Sequence, residues 1–114
     1  GIAVLLETMG YGVIAVASGE EAMAIPLDPT PDLLLTDVTL AGIGGSALGE
    51  RMRERWPSLK VVLMSGYLEE ASRANAGERG WHFLQKPFEM SELTSHLHAA
   101  LQGMPGTASS AVLS

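Results

Sequence analysis

The sequence contains no cysteine and no long apolar run, and each absence excludes a class of protein. Without cysteine, a disulfide scaffold, a thiolate zinc site and a cysteine nucleophile are all excluded. No apolar stretch reaches the roughly 20 residues that a membrane-spanning helix needs, and no basic-then-apolar leader opens the chain. We therefore expect a cytoplasmic protein that makes no membrane contact.

Positive charge is also scarce. Seven basic residues stand against thirteen acidic ones, for a formal net charge of −6. Such a surface repels nucleic acid, so we expect no direct nucleic-acid binding. The 114 residues are 46% hydrophobic, which excludes a disordered chain and fits one domain with a single core.

Short apolar runs alternate with stretches of helical periodicity. Continuous rather than alternating apolar residues are typical of strands buried on both faces, as in parallel sheets. Ser18 precedes Glu20 and Glu21, a pattern that predicts a helix N-cap. Together these patterns predict a doubly wound, parallel α/β sheet with right-handed crossovers. The four predicted strands cover residues 12–16, 33–38, 60–65 and 81–85.

Three of these strands end in residues of complementary chemistry. Asp37 is a carboxylate, Ser65 a hydroxyl and Lys86 a cation. Ligands of open parallel sheets bind beyond the carboxyl ends of the strands. Each residue alone is typical of an ordinary turn or cap, but their coincidence predicts a site that holds a phosphoryl group, with the carboxylate as acceptor.

Four stretches carry a family resemblance: "GYGVIAVASGEEAM", "PDLLLTDVTLAGIGG", "VVLMSGY" and "FLQKPFEMSEL". Together they resemble the receiver domain of bacterial two-component response regulators, and "LMSGY" and "LQKPF" are most like C-terminal receivers of hybrid sensor histidine kinases. The resemblance implies a flavodoxin-like fold, which we assign to residues 1–102. Residues 103–114 are small and polar, so we expect a flexible C-terminal tail there.

The resemblance also implies roles for individual residues. Asp37 would be the phosphoacceptor, supplied by the phosphohistidine of a histidine kinase or phosphotransfer domain. Lys86 would pair with Asp37 and then with a phosphoryl oxygen. Ser65 would be the switch hydroxyl that moves toward the phosphate, and Phe83 the switch aromatic that follows it.

Further positions match by the same resemblance. Thr39 would offer its backbone carbonyl to Mg²⁺, which Asp37 would also bind. Thr39 and Tyr67 match positions that tune the lifetime of the phosphorylated state. The domain would catalyse at most its own phosphorylation and dephosphorylation.

The chief departure from the family is the absence of its first strand and of the adjacent acids that follow it. The adjacent acid pairs Glu20-Glu21 and Glu69-Glu70 stand at predicted helix starts. We therefore expect weak or absent Mg²⁺ binding. The missing strand is central in this fold, so we expect a fragment of a longer chain, a rearranged sheet, or a dimer formed by strand exchange.

Two alternatives remain. A degenerate pseudo-receiver would act by protein–protein binding without phosphorylation, which the missing acids favour and the retained Asp37, Ser65 and Lys86 oppose. A small α/β hydrolase with Asp37 as nucleophile would lack a general base, because the histidines lie away from the predicted site.

Overall fold

The structure is a computed structural model and describes residues 2–26, 30–39, 44–66, 76–100 and 110–113. Helices and strands alternate along most of this chain, as expected for an α/β domain. In chain order they are α1 (Ile2–Thr8), β1 (Gly12–Ala15), α2 (Gly19–Met23), β2 (Leu33–Asp37), α3 (Gly45–Arg55), β3 (Lys60–Ser65), β4 (His82–Gln85), α4 (Met90–Ala100) and β5 (Ser110–Leu113).

All pairings in the five-stranded sheet are parallel, and the spatial order is β1-β5-β2-β3-β4. The four strands predicted from the sequence are confirmed as β1, β2, β3 and β4. The predicted fold class, a doubly wound parallel α/β sheet of flavodoxin-like strand order, is confirmed as well.

The sheet is covered on both faces, which explains the continuous apolar strands. Along β2, the buried Leu33 and Leu35 belong to one core cluster and Leu34 to the other, because successive side chains of a strand point to opposite faces. Leu6 of α1 and Leu97 of α4 pack in the first cluster. Residues of α2 and α3, including Ala22, Leu48 and Met52, pack in the second.

The C-terminal strand β5 differs from the sequence-based expectation. We expected a flexible tail over residues 103–114, but Ser110–Leu113 lie in the centre of the sheet, between β1 and β2. Ala111 and Val112 are fully buried, one in each core cluster. The other residues of that predicted tail, 103–109 and 114, lie outside the described part of the chain.

Backbone pairing on both sides explains why β5 is a strand. It pairs with β1 over four register positions and with β2 over three. Asp32 holds its start, since the Asp32 N–H donates to the Ser110 carbonyl at 2.9 Å and Asp32 Oδ2 accepts from the Ser110 N–H at 3.3 Å. Val16 N–H donates to the Leu113 carbonyl at 2.9 Å. In the described residues, the gap expected where the family's first strand lies is therefore filled by this chain's own Ser110–Leu113.

The predicted cap of α2 is confirmed. Ser18 has extended backbone, and its hydroxyl accepts from the Glu21 N–H at 3.2 Å. The Glu21 carboxylate accepts in return from the Ala17 N–H. This reciprocal pattern satisfies donors at the helix start that would otherwise lack partners.

Within the described ranges, no helix is long and apolar enough to cross a membrane.

Candidate functional site

The site lies at the edge where the parallel strands end, and its central feature is an ion pair. Asp37 is the last residue of β2, and Lys86 directly follows β4. Lys86 Nζ donates to Asp37 Oδ1 at 2.6 Å. The Asp37 side chain is 34% exposed and the Lys86 side chain 39%, so a partner molecule can reach the carboxylate from solvent.

Backbone hydrogen bonds hold these two residues in register with β3. The Val38 N–H donates to the Met64 carbonyl, and the Lys86 N–H donates to the Ser65 carbonyl, both at 2.7 Å. The sheet's ladder thus extends one residue beyond β2 and β4, which fixes the backbone from which the Asp37 and Lys86 side chains project. The peptide bond between Lys86 and Pro87 is cis.

Ser65 and Phe83 lie on the neighbouring strands β3 and β4, as predicted. Ser65 is the last residue of β3 and is buried, with 4% of its surface exposed. Phe83 is partly buried and packs against the core cluster on the α2–α3 face. Leu63 is its register partner on β3. Asp37, Ser65 and Lys86 therefore share one edge, as predicted.

The start of α3 packs directly against the backbone of Asp37. A Cβ added at Gly45 would lie 2.0 Å from the Asp37 carbonyl oxygen, far inside contact distance. The Gly45 N–H also donates to the Val38 carbonyl at 2.8 Å. Sequence reasoning did not identify Gly45 as a site residue; the available signal was the glycine pair, Gly44 and Gly45, at the start of the helix.

The remaining predicted positions are Thr39 and Tyr67. Thr39 is exposed and lies in the bend that follows β2, two residues beyond Asp37. Tyr67 lies outside the described residues. A shallow depression of about 440 Å³, lined by Gly66, Lys86, Pro87 and Phe88, adjoins the ion pair.

The described residues do not provide a fitting site for a divalent cation. None of their His, Asp and Glu side chains form a group of three or more that could hold a metal. Asp37 already pairs with Lys86 through one oxygen. The resemblance would place the family's adjacent acid pair at the carboxyl end of the strand next to β2. Here that strand is β5, which ends at Leu113 and is followed in the sequence by Ser114. A hard cation such as Mg²⁺ prefers several oxygen ligands, so this donor set is too small.

A parallel five-stranded sheet with an aspartate–lysine pair at its carboxyl edge defines a doubly wound α/β domain with a site at the strand ends. Comparison with known proteins identifies the family. Residues 1–98 match the family described as the response regulator receiver domain. The chain belongs to this family, whose members interact with histidine kinases or phosphotransfer partners.

Individual relatives agree with this assignment. The chain is 32% identical over 100 residues to the sensor kinase CckA of Brucella abortus, covering 85% of this chain but only 11% of that kinase. The receiver domain of NtrX from Brucella abortus superposes with a TM-score of 0.79 at 28% identity, covering 90% of this chain and 88% of that one.

A second similar structure carries a bound cation. It is a response regulator protein from Burkholderia pseudomallei with a phosphorylated aspartic acid, calcium ion and citrate. It superposes with a TM-score of 0.73 at 24% identity, covering 90% of this chain and 58% of that one. This likeness shows the shared fold.

Proposed function

We propose that the chain is a phosphoacceptor module of a two-component phosphorelay, with Asp37 as the acceptor. The observation that carries the proposal is the 2.6 Å ion pair between Lys86 Nζ and Asp37 Oδ1 at the carboxyl edge of the sheet. Lys86 engages Oδ1, and we assign Oδ2 to the attack. The donor would be the phosphohistidine of a histidine kinase or phosphotransfer domain.

The transfer involves Asp37, Lys86, the donor phosphohistidine and water. Oδ2 of Asp37 attacks the phosphorus, the P–N bond to the donor imidazole breaks, and the imidazole leaves with the bonding electron pair and takes a proton from water. The product is an acyl phosphate on Asp37. Lys86 neutralises charge on the phosphoryl oxygens, an electrostatic role that is strongest for a group already in position.

The conformational response would run through Ser65 and Phe83. The Ser65 hydroxyl would donate to a phosphoryl oxygen, and Phe83, two residues before Gln85 on the adjoining strand, would change its packing as β3 and β4 adjust. Ser65 is buried and Phe83 packs partly into the core. A shift at either residue would therefore be transmitted to the surrounding side chains. Thr39 and Tyr67 would set the lifetime of the acyl phosphate.

Mg²⁺ is the cofactor that the family uses, but we infer that the described residues of this chain bind it weakly or not at all. Asp37 and the Thr39 carbonyl are too few ligands for a hard cation. A titration of Mg²⁺ followed by the backbone amide signals of Asp37 and Thr39 tests this inference. We expect a dissociation constant above about 1 mM, weaker than most natural divalent-cation sites. A tighter constant would overturn the inference.

The proposal extends to the larger protein to which the domain would belong. The likeness to a sensor kinase supports an origin in a hybrid histidine kinase, where the domain would lie in the cytoplasm with its donor. A second candidate, a pseudo-receiver that acts by protein–protein binding alone, is favoured by the lack of a metal-binding group among the described side chains. Retention of the Asp37–Lys86 pair opposes it.

Phosphorylation by a small donor separates these two functions. Wild-type protein and the Asp37→Asn variant are incubated with acetyl phosphate, with and without Mg²⁺, and their intact masses are compared. The proposal predicts one phosphoryl group on the wild type and none on Asp37→Asn. Circular dichroism confirms that both proteins are folded. An unmodified, folded wild type would support the pseudo-receiver, and equal labelling of both proteins would place the acceptor elsewhere.

A further inference from the structure

A second cavity lies at the opposite edge of the sheet, where the strands begin. It has a volume of about 450 Å³, and Lys60 and His82, the first residues of β3 and β4, contribute to its lining. Asp37 and Ser65 lie at the other ends of the strands. The six residues of β3 separate the two edges by roughly 17 Å. The cavity is therefore distinct from the proposed phosphoacceptor site.

The lining of this cavity is basic, in a chain whose formal net charge is −6. Arg53, Lys60 and Arg79 line it, and the described lining residues include no carboxylate. Glu50 forms an ion pair with Arg79 but is not itself a lining residue. Three of the chain's seven basic residues thus meet at one concave surface.

Hydrogen-bond donors without acceptors provide an independent observation. Arg53 Nε, Arg79 Nη1 and Trp81 Nε1 are buried and have no hydrogen-bond partner among the described residues. All three residues line the cavity, and Trp81 is only 9% exposed. Buried donors are almost always satisfied in folded proteins, because an unpaired one loses its water without compensation. Each of these three donors belongs to a residue that lines the cavity, so an acceptor that enters the cavity needs only a local side-chain adjustment to reach it.

The residues that carry these donors are also held in position. The six-membered ring of Trp81 packs against Gly49, where an added Cβ would lie 2.8 Å from Cη2, and the N–H belongs to the other ring of the indole. The Arg79 guanidinium lies 5.0 Å from the Trp81 ring centre, and its Nη2 pairs with Glu50. Arg53 Nη2 donates to the Pro57 carbonyl. Side chains fixed in this way lose little freedom when a ligand binds.

We propose that this cavity binds a small phosphate-bearing anion. Guanidinium groups match the oxygens of a phosphate with several directed N–H donors, which a single ammonium cannot do. The cavity is larger than one phosphate group, so a phosphomonoester with a small organic part also fits. Ala99 and Ala100 bring the carboxyl end of α4 to the cavity, and its carbonyl groups repel anions. The anion therefore lies on the side of Arg53, Arg79 and Trp81.

The indole N–H signals of the two tryptophans provide the test. ¹⁵N-labelled protein is titrated with inorganic phosphate and, separately, with glycerol phosphate, while chloride keeps the ionic strength constant. We expect a saturable shift of the Trp81 signal and little change at Trp56, which does not line the cavity. Tighter binding of glycerol phosphate identifies a phosphomonoester, and equal affinity identifies phosphate itself. A Trp81 signal that does not shift, or that shifts no more than Trp56, overturns the proposal.

Matched variants locate the binding site. Arg53→Met and, as a second variant, Lys60→Met should weaken phosphate binding about tenfold or more, because each removes a charged partner of the anion. Arg51→Met changes an exposed arginine on the same helix and should leave the affinity unchanged. Asp37→Asn should also leave it unchanged, which separates this site from the phosphoacceptor. Equal losses in Arg51→Met and Arg53→Met would overturn the proposal.

Discussion

Leu34 of β2 and Val112 of β5 are register partners, and both side chains are completely buried on the α2–α3 face of the sheet. The contact joins the middle of the sequence to its last few residues. Because β5 also pairs with β1, it is the only strand in the described sheet that connects β1 to the rest. The C-terminal strand is thus part of the core.

Val112→Ala tests this role of β5. The substitution removes two buried methyl groups and leaves a cavity, so we expect it to lower the free energy of unfolding by about 2 kcal/mol. Val4→Ala is the matched control, because Val4 is 62% exposed and should change stability by less than about 0.5 kcal/mol. Urea denaturation measures both. Equal, small effects would show that Val112 is not buried in solution.

The difference between β5 and the other strands shows what the sequence can predict. Residues 33–38 and 60–65 are continuous apolar runs bounded by polar residues, and this local signal identified β2 and β3. Ser110–Leu113 is a segment of only four residues that follows a stretch of small and polar residues. It has no local pattern that distinguishes a strand from a tail. Their conformation depends on pairing with β1 and β2, which are distant in sequence.

The phosphoacceptor site and the basic cavity also differ in how far the sequence predicts them. Asp37, Ser65 and Lys86 each follow or end an apolar run, so strand topology alone predicted that they meet at one edge. The basic cavity was not predicted, since Arg53, Arg79 and Trp81 belong to different segments whose packing brings them together. Contact between Gly49 and the Trp81 ring has no signature in either local sequence.

Gly45→Ala tests the close packing of α3 against Asp37, at the end of β2. The new methyl group would overlap the Asp37 carbonyl oxygen, so we expect a loss of roughly 1–3 kcal/mol in unfolding free energy, together with slower phosphorylation of Asp37. Gly77→Ala is the control: an added Cβ there meets nothing within 4 Å, and the residue has no positive φ. It should be neutral or stabilising by up to about 1 kcal/mol. Equal stability of the two variants would contradict the packing.

Lys86→Met tests the electrostatic role of the lysine. We expect phosphorylation by acetyl phosphate to slow by about a hundredfold, because one preorganised cation at the phosphoryl oxygens is lost. Stability should change by less than about 1 kcal/mol, since both members of the ion pair are partly exposed. Rates come from intact mass against time, and Arg51→Met should retain the wild-type rate. A wild-type rate in Lys86→Met would exclude this role.

His82 should make stability depend on pH near neutrality. Burial lowers the pKa of His82, and the nearby His96 and Lys60 lower it further; the rings of His82 and His96 lie 6.0 Å apart, edge to face. The unfolded state then binds a proton at a higher pH than the folded state, so stability is complete above about pH 6.5 and is lost as the pH falls toward the folded pKa.

Urea midpoints at pH 7.5 and 5.5 measure this effect. We expect wild-type protein to lose stability on acidification and His82→Gln to lose less. An NMR titration of the His82 ring should give a midpoint below the ordinary imidazole value of about 6.5. A midpoint at or above that value would contradict the expected burial.

The position of the phosphoryl group tests the assignment of Asp37 as phosphoacceptor most directly. Wild-type protein is phosphorylated with acetyl phosphate, reduced with borohydride, which converts an aspartyl phosphate to homoserine, and digested for peptide mass spectrometry. We expect homoserine at position 37 and unmodified acids at every other position. Homoserine at another aspartate, or none in a folded and phosphodonor-treated sample, would contradict the assignment of Asp37 as the phosphoacceptor.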